Sequence, residues 1–150
     1  MATWQNWSGS LKFCPTSIEH PGDETSIVDL VKRARDTREA LRVIGSGHSA
    51  SDILPTAGKV IRLDRLHGLA SCDRDALTAS AFAGTRIDEL GTALLKVDVE
   101  MPNFGDVSSQ TIAGALATAT HGTGPRFTNL SGTLIGGRLV TGGGEILDFS

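Results

Sequence analysis

The sequence predicts an α+β fold, on three observations. Strand-like and helix-like segments alternate early in the chain, strand patterns dominate late, and no internal repeat gives the regular βαβ rhythm of a doubly wound sheet. Ser10 to Phe13 reads as a short strand that Pro15 ends. Asp23 is placed to cap a helix in which Ile27, Leu30, Val31 and Ala34 keep the i, i+3, i+4, i+7 spacing of one buried face. Leu41 to Ile44 is a strand running into Gly45. Val60 to Leu63 is another, preceded by the turn residues Pro55 and Gly58. Leu77 to Phe82 reads as a further strand, and Arg86 to Lys96 as a helix with Ile87, Leu90, Leu94 and Leu95 inward. Thr111 to Ala119, rich in alanine, holds a short helix. Leu134 to Val140 and Glu145 to Phe149 make a hairpin across Gly142-Gly143-Gly144.

Composition narrows the classes of function. The 150 residues suffice for one domain with its own core, and 39% hydrophobic with 21% charged residues is an ordinary globular balance. A net charge of −3 leaves no basic stripe to neutralise phosphates, and five Phe with no Tyr offer little for base stacking, so no nucleic-acid partner is expected. Lys32, Arg33, Arg35 and Arg38 read as a solvated helix face. Cys14 and Cys72 form no CxxC pattern and read as free thiols of a reducing compartment, so a cytoplasmic location is expected. The N-terminus lacks the basic start and apolar run of a signal peptide, and no stretch approaches the ~18 apolar residues of a membrane span.

Two segments carry chemistry. Val43-Ile44-Gly45-Ser46-Gly47-His48-Ser49 is an apolar strand entering a glycine turn that presents one imidazole. The tract from Gly105 to Gly124 is built from Gly, Ala, Ser and Thr with almost no charge. Small residues let backbone approach a ligand closely, and amides and hydroxyls can bind phosphate oxygens. Gly45-Ser46-Gly47-His48-Ser49-Ala50 also matches G-x-G-x-x-A, with Asp64 where a ribose-binding carboxylate would stand. A nicotinamide-dinucleotide site needs a helix beginning at those glycines, and Pro55 and Gly58 leave little room for one. His48 is either a loop histidine bonded to backbone or a group offered to a ligand; spacing leaves both open. His20, His48, His67 and His121 lack paired metal-ligand spacing, so no metal is expected. Ser49 and Asp52 sit too close to His48 on one loop to form a hydrolase triad. The alanines of the second tract could simply pack a core, but Thr111, Thr118, Thr120 and His121 interrupt them with hydrogen-bonding groups, which suits a phosphate cradle.

At these segments the chain resembles the flavin-binding domain of the vanillyl-alcohol oxidase and p-cresol methylhydroxylase (PCMH) superfamily, and within it the sugar-1,4-lactone and alditol oxidases. The matching pieces are Asn6-Trp7-Ser8-Gly9, Gly45 to Ser49, Ala83-Gly84-Thr85-Arg86, Met101-Pro102-Asn103, Gly105-Asp106, Thr111 to Ala115 and Thr118 to Gly124. They keep family order over nearly the whole chain.

The resemblance implies a PCMH-type fold with FAD extended between two α+β subdomains, and a covalent bond from His48 to the 8α-methyl carbon of the flavin. Gly45, Ser46, Gly47 and Ser49 would surround the pyrophosphate, and Val43 and Ile44 would also bind the cofactor. Gly105, Asp106, Thr111, Gly114, Thr118, Ala119, Thr120 and His121 would line the remainder. Gly105 falls where a small residue goes with oxygen access to the flavin, which implies an oxidase: a CH–OH group of a sugar lactone or polyol is oxidised, and O2 takes the electrons to give hydrogen peroxide. Family members continue for a few hundred residues into a substrate domain. The chain is therefore expected to hold a cofactor site truncated at its C-terminal end and no complete active site. The alternatives are a non-catalytic FAD-binding fragment and a Rossmann-type nicotinamide domain.

Overall fold

A computed structural model describes residues 3–150. The chain forms two compact units: one runs up to Arg65 and takes back Ile135–Ser150, the other is Leu66–Leu134.

The first unit opens with a small antiparallel hairpin, β1 (Trp4–Gln5) against β2 (Lys12–Phe13), in which Trp4 faces Phe13. Three strands then form a parallel sheet: β3 (Ser17–Glu19), β4 (Leu41–Ile44) and β5 (Lys59–Arg62), in the order β3-β5-β4. Helix α1 (Glu24–Asp36) crosses from β3 to β4. Asp23 caps it: its carboxylate accepts the Ser26 N–H at 2.7 Å, and that bond, with the Ser26 hydroxyl, holds the Asp23 carboxyl below the usual carboxylate range. Leu30 and Ala34 are its buried residues, as the spacing requires. Pro15 and Ser17–Glu19 show where sequence reasoning fell short. The proline ends one strand and admits another, too short to show a period, that gains its partners only across the chain.

The core of this unit is Trp4, Ile44 and Val60, with Phe13, Ile18 and Leu54 packed around it. Burying side chains of this size gives about 1.5–3 kcal/mol each. β4 is therefore fixed by one inward residue, Ile44, while Val43 points out with 60% of its surface exposed.

The second unit begins with the hairpin of β6 (Leu69–Asp73) and β7 (Thr78–Ala81). Leu77 is not in the strand but at its turn, with φ of +52°, and Phe82 lies beyond its end. Helix α2 (Ile87–Leu95) buries Ile87, Leu90 and Leu94, whereas Leu95 is 58% exposed, against expectation. Position 95 closes the helix beside Leu94, and a helix cannot turn two neighbours to one narrow face. Leu90, Leu94 and Val99 make one core; Ile87, Ala115 and Leu130 make a second that shares Met101 and Ile112 with it. Helix α3 (Ile112–Ala117) is shorter than the alanine run predicts, because Thr111 is still extended and Ala119 turns to a φ of +51°. A 3-10 turn follows at Leu130–Thr133.

β8 (Gly137–Val140) and β9 (Ile146–Phe149) form the expected hairpin, which belongs to the first unit. The Arg35 guanidinium donates to the Gly143 carbonyl at 3.0 Å, and Arg138 pairs with Glu24 of α1 at 3.3 Å and with Asp148 across the ladder at 3.0 Å. Among the described residues no helix is long and apolar enough to cross a membrane.

Candidate cofactor site

β4 ends at Ile44, and residues 45–58 return the chain to its parallel neighbour β5. A parallel return of this kind normally carries a helix. Here it carries none, so the glycines of Gly45-Ser46-Gly47 open an irregular loop at the carboxyl end of a strand. That arrangement removes the helix a nicotinamide site requires. Asp64 is also committed elsewhere. His20 Nδ1 lies 2.7 Å from it and Arg62 3.8 Å. Partial burial raises its carboxyl, but the hydrogen bond and charge of His20 and the charge of Arg62 outweigh that and hold it below the ordinary range.

The loop is held by the N-terminal hairpin. Gly47 has φ of +76°, and a Cβ placed on it would stand 2.9 Å from Trp4 Cζ2. Trp4 is itself a core residue, 5.1 Å from the Phe13 ring. The Trp7 N–H donates to the Gly47 carbonyl at 2.8 Å. The Asn6 amide, 2% exposed, donates to the Ser49 carbonyl and to Ser10 Oγ, both at 3.1 Å, and its oxygen accepts the Leu11 N–H at 3.0 Å. A buried amide with all these bonds made is a rigid fastening. The glycine at 47 thus answers to packing against Trp4 as well as to any ligand. His48, between Gly47 and Ser49, is half-buried and rests on Trp7, ring centroids 5.6 Å apart at 31°.

In the second unit, Gly105 and Thr120 come together. A Cβ on Gly105 would stand 2.6 Å from Thr120 Cγ2. The bare position therefore accommodates that methyl group. Thr118 Oγ1 donates to the Gly114 carbonyl at 2.9 Å and lies 3.3 Å from Thr120 Oγ1, which donates to Gln110 Oε1 at 3.3 Å. These hydroxyls find partners inside their own segment while keeping oxygen lone pairs. Gly114 turns its bare face to Thr111 Oγ1, where a Cβ would come within 3.0 Å. His121 Nδ1 sits 2.9 Å from the Gly122 carbonyl, and Asp106 is exposed. So Thr111, Gly114, Thr118, Ala119 and Thr120 share one short helix and its exit, with Gly105 against it.

Three residues that sequence reasoning gave no role hold these segments. Asn6 and Trp4 brace the first loop. Thr85, fully buried, donates its hydroxyl proton to the Phe82 carbonyl at 2.6 Å, with the Gly68 carbonyl at 3.1 Å, and accepts the Gly68 N–H, while its own carbonyl accepts the Ile112 N–H at 2.7 Å. The available signal was that Asn6 and Thr85 lie in the segments Asn6-Trp7-Ser8-Gly9 and Ala83-Gly84-Thr85-Arg86; nothing in the sequence singled out Trp4.

Each of the two segments, taken by itself, offers small residues and hydrogen-bond donors suited to a phosphate-bearing ligand. Gly45 to Ala50 offers amides, two hydroxyls and an imidazole with no acidic side chain among them, and Thr111 to Gly124 has none either. A phosphate group at either segment would meet donors and no carboxylate.

The comparison with known families agrees. Residues 15–150 match the profile described as FAD binding domain, and the chain belongs to that family. L-gulono-1,4-lactone dehydrogenase of Mycobacterium tuberculosis is 40% identical over 147 residues, 98% of this chain and 34% of the relative. D-arabinono-1,4-lactone oxidase of Eremothecium gossypii is 31% identical over 148 residues, 96% of this chain and 28% of the relative. The solved structure of an alkyldihydroxyacetonephosphate synthase superposes with a TM-score of 0.80 at 21% identity, over 89% of this chain and 26% of that one. The fold is thus the PCMH-type flavoprotein fold that the resemblance implied, and the chain spans about a third of the length of the curated relatives it matches.

Proposed function

We propose that this chain is the cofactor-holding part of an FAD-dependent oxidoreductase that oxidises a CH–OH group of a sugar lactone or polyol. The observation that carries the proposal is the helix-free, carboxylate-free loop Gly45–Ser49 at the end of β4, fastened by Asn6 and Trp4 and presenting His48. The names of the relatives, lactone dehydrogenase and lactone oxidase, support the substrate class.

In this reading the backbone of Gly45, Ser46 and Gly47 with the Ser49 hydroxyl receives the pyrophosphate. Thr111, Thr118, Thr120 and His121 supply the second set of hydrogen bonds, with Val43, Ile44, Asp106, Gly114 and Ala119 along the cofactor. Bound flavin would supply hydride acceptance at its ring; the chain supplies position. His48 holds the cofactor covalently through the flavin 8α-carbon. The His48 imidazole would be the group joined to the flavin 8α-carbon, and that attachment would keep the cofactor on the chain.

The final acceptor of the catalytic electrons is proposed to be O2 on the strength of Gly105, since the relatives include both a dehydrogenase and oxidases. The free thiols Cys14 and Cys72 are the support for a cytoplasmic, reducing setting. The test is turnover of the full-length protein with aldonolactones and polyols under air, with peroxide and a dye acceptor followed in parallel. Peroxide release matching substrate loss supports an oxidase. Dye reduction with no peroxide makes it a dehydrogenase, and flavin binding with neither makes it a non-catalytic carrier.

A further inference from the structure

We propose that Trp7 is a positioning residue for His48, an inference that rests on reading His48 as the attachment site. Two independent ties meet at this residue. Its main-chain N–H holds the Gly47 carbonyl at 2.8 Å, fixing the peptide just before His48. Its indole lies beside the imidazole, centroids 5.6 Å apart and tilted by 31°. Aromatic pairs favour such offset, tilted contacts over a face-to-face sandwich. Trp7 is nevertheless 76% exposed, so no core is built on it. Core residues of the same hairpin, Trp4 and Phe13, do the folding work, and Asn6 closes its turn. An indole left in solvent beside the one imidazole of the loop restricts the directions in which that ring presents its nitrogens.

The bond to the cofactor needs one imidazole nitrogen aimed at one carbon. A reacting group misplaced by about 1 Å loses on the order of 100-fold in rate. Removing the indole leaves the backbone tie and takes away the ring contact, so the chain still accepts FAD but attaches it slowly.

The experiment uses full-length protein prepared without flavin and loaded with FAD. Total bound FAD is read from absorbance after gel filtration, and attached FAD after acid precipitation. Trp7→Ala is expected to bind FAD as wild type does and to attach it about 10- to 100-fold more slowly. Trp7→Phe, which keeps a ring in place, is expected to stay within about threefold of wild type. Before any FAD is added, the NMR signals of the His48 ring are expected to carry an upfield ring-current shift that Trp7→Ala abolishes. Attachment by Trp7→Ala at the wild-type rate, or His48 signals unmoved by it, overturns the positioning role while leaving His48 as the site. Release of all FAD from acid-precipitated wild-type protein overturns the attachment reading itself, and with it this proposal.

Discussion

Replacing Gly47 with alanine tests whether the cofactor loop is locked onto the N-terminal hairpin. Two costs add. A φ of +76° puts an L-residue in the left-handed region, at about 1–2 kcal/mol. The new Cβ stands 2.9 Å from Trp4 Cζ2. Trp4 is 7% exposed and packed with Ile44 and Val60, so it yields only by disturbing the core, at about 1–3 kcal/mol. The lower entropy of the unfolded alanine chain returns about 0.4–1 kcal/mol. The net loss is about 1–4.6 kcal/mol, which in a domain of about 150 residues lowers Tm by about 2 to 18 °C. Gly142→Ala is the control: nothing lies within 4 Å of its Cβ, and its effect should stay within about 0.5 kcal/mol. Gly47→Asn separates the two costs, since asparagine tolerates the left-handed region and still carries the Cβ. Thermal melts and the flavin-to-protein ratio of each variant provide the measurement. Equal Tm and equal flavin content in Gly47→Ala and Gly142→Ala would refute the locking of this loop.

Other predictions concern oxygen, pH and the last hairpin. Gly105→Leu should slow reoxidation of the reduced flavin by O2 more than it slows reduction by substrate, with stopped-flow traces reading each half. Because its side chain must displace Thr120 Cγ2, Gly105→Ala combined with Thr120→Ser should lose less flavin than Gly105→Ala alone. Asp23 has a lowered carboxyl, so its contribution to stability is complete above its unfolded pKa near 4 and fades as pH falls through the folded value. Asp23→Asn should therefore flatten the acid side of a Tm-against-pH curve; an unchanged slope counts against the cap. Leu139, Ile146, Leu147 and Phe149 are each more than 40% exposed on the β8–β9 ladder. Unpaired, apolar strands recruit other chains. Residues 1–150 expressed alone should associate by light scattering, bind FAD weakly and show no peroxide-forming turnover, and Leu147→Lys should reduce the association. A monodisperse, active monomer would contradict this.

Legibility in the sequence followed the physics of each element. Helix α1 was readable at its start and along its buried face because the N-cap Asp23 and a 3.6-residue stripe lie together, while its end at Asp36 was not marked in the sequence. The β4 strand and its glycine exit were readable, as was the absence of a crossover helix, because Pro55 and Gly58 act locally. β3 and β6 were not. Ser17–Glu19 has three residues, and Leu69–Asp73 carries Ala, Ser, Cys and Asp, so neither shows a period, and both exist through partners distant in sequence or across a turn. The same holds for the site. Small residues announced where backbone could meet a ligand. What braces that backbone, Trp4 under Gly47 and the Asn6 amide on Ser49, lies some forty residues away and is a tertiary fact. The hydroxyls of Thr118 and Thr120 looked unpartnered in sequence and are paired in the fold, through a helix carbonyl and Gln110.

The central claim is that the chain carries FAD on His48, and peptide mass spectrometry tests it most directly. Trypsin cutting after Arg42 and Lys59 releases residues 43–59, which contain a single histidine, His48. The account predicts that this peptide, from acid-precipitated holoprotein, carries the added mass and the yellow absorbance of FAD, and that fragmentation places the addition on His48. An unmodified 43–59 peptide alongside flavin attached to another histidine, or flavin recovered entirely in the acid supernatant, would contradict it.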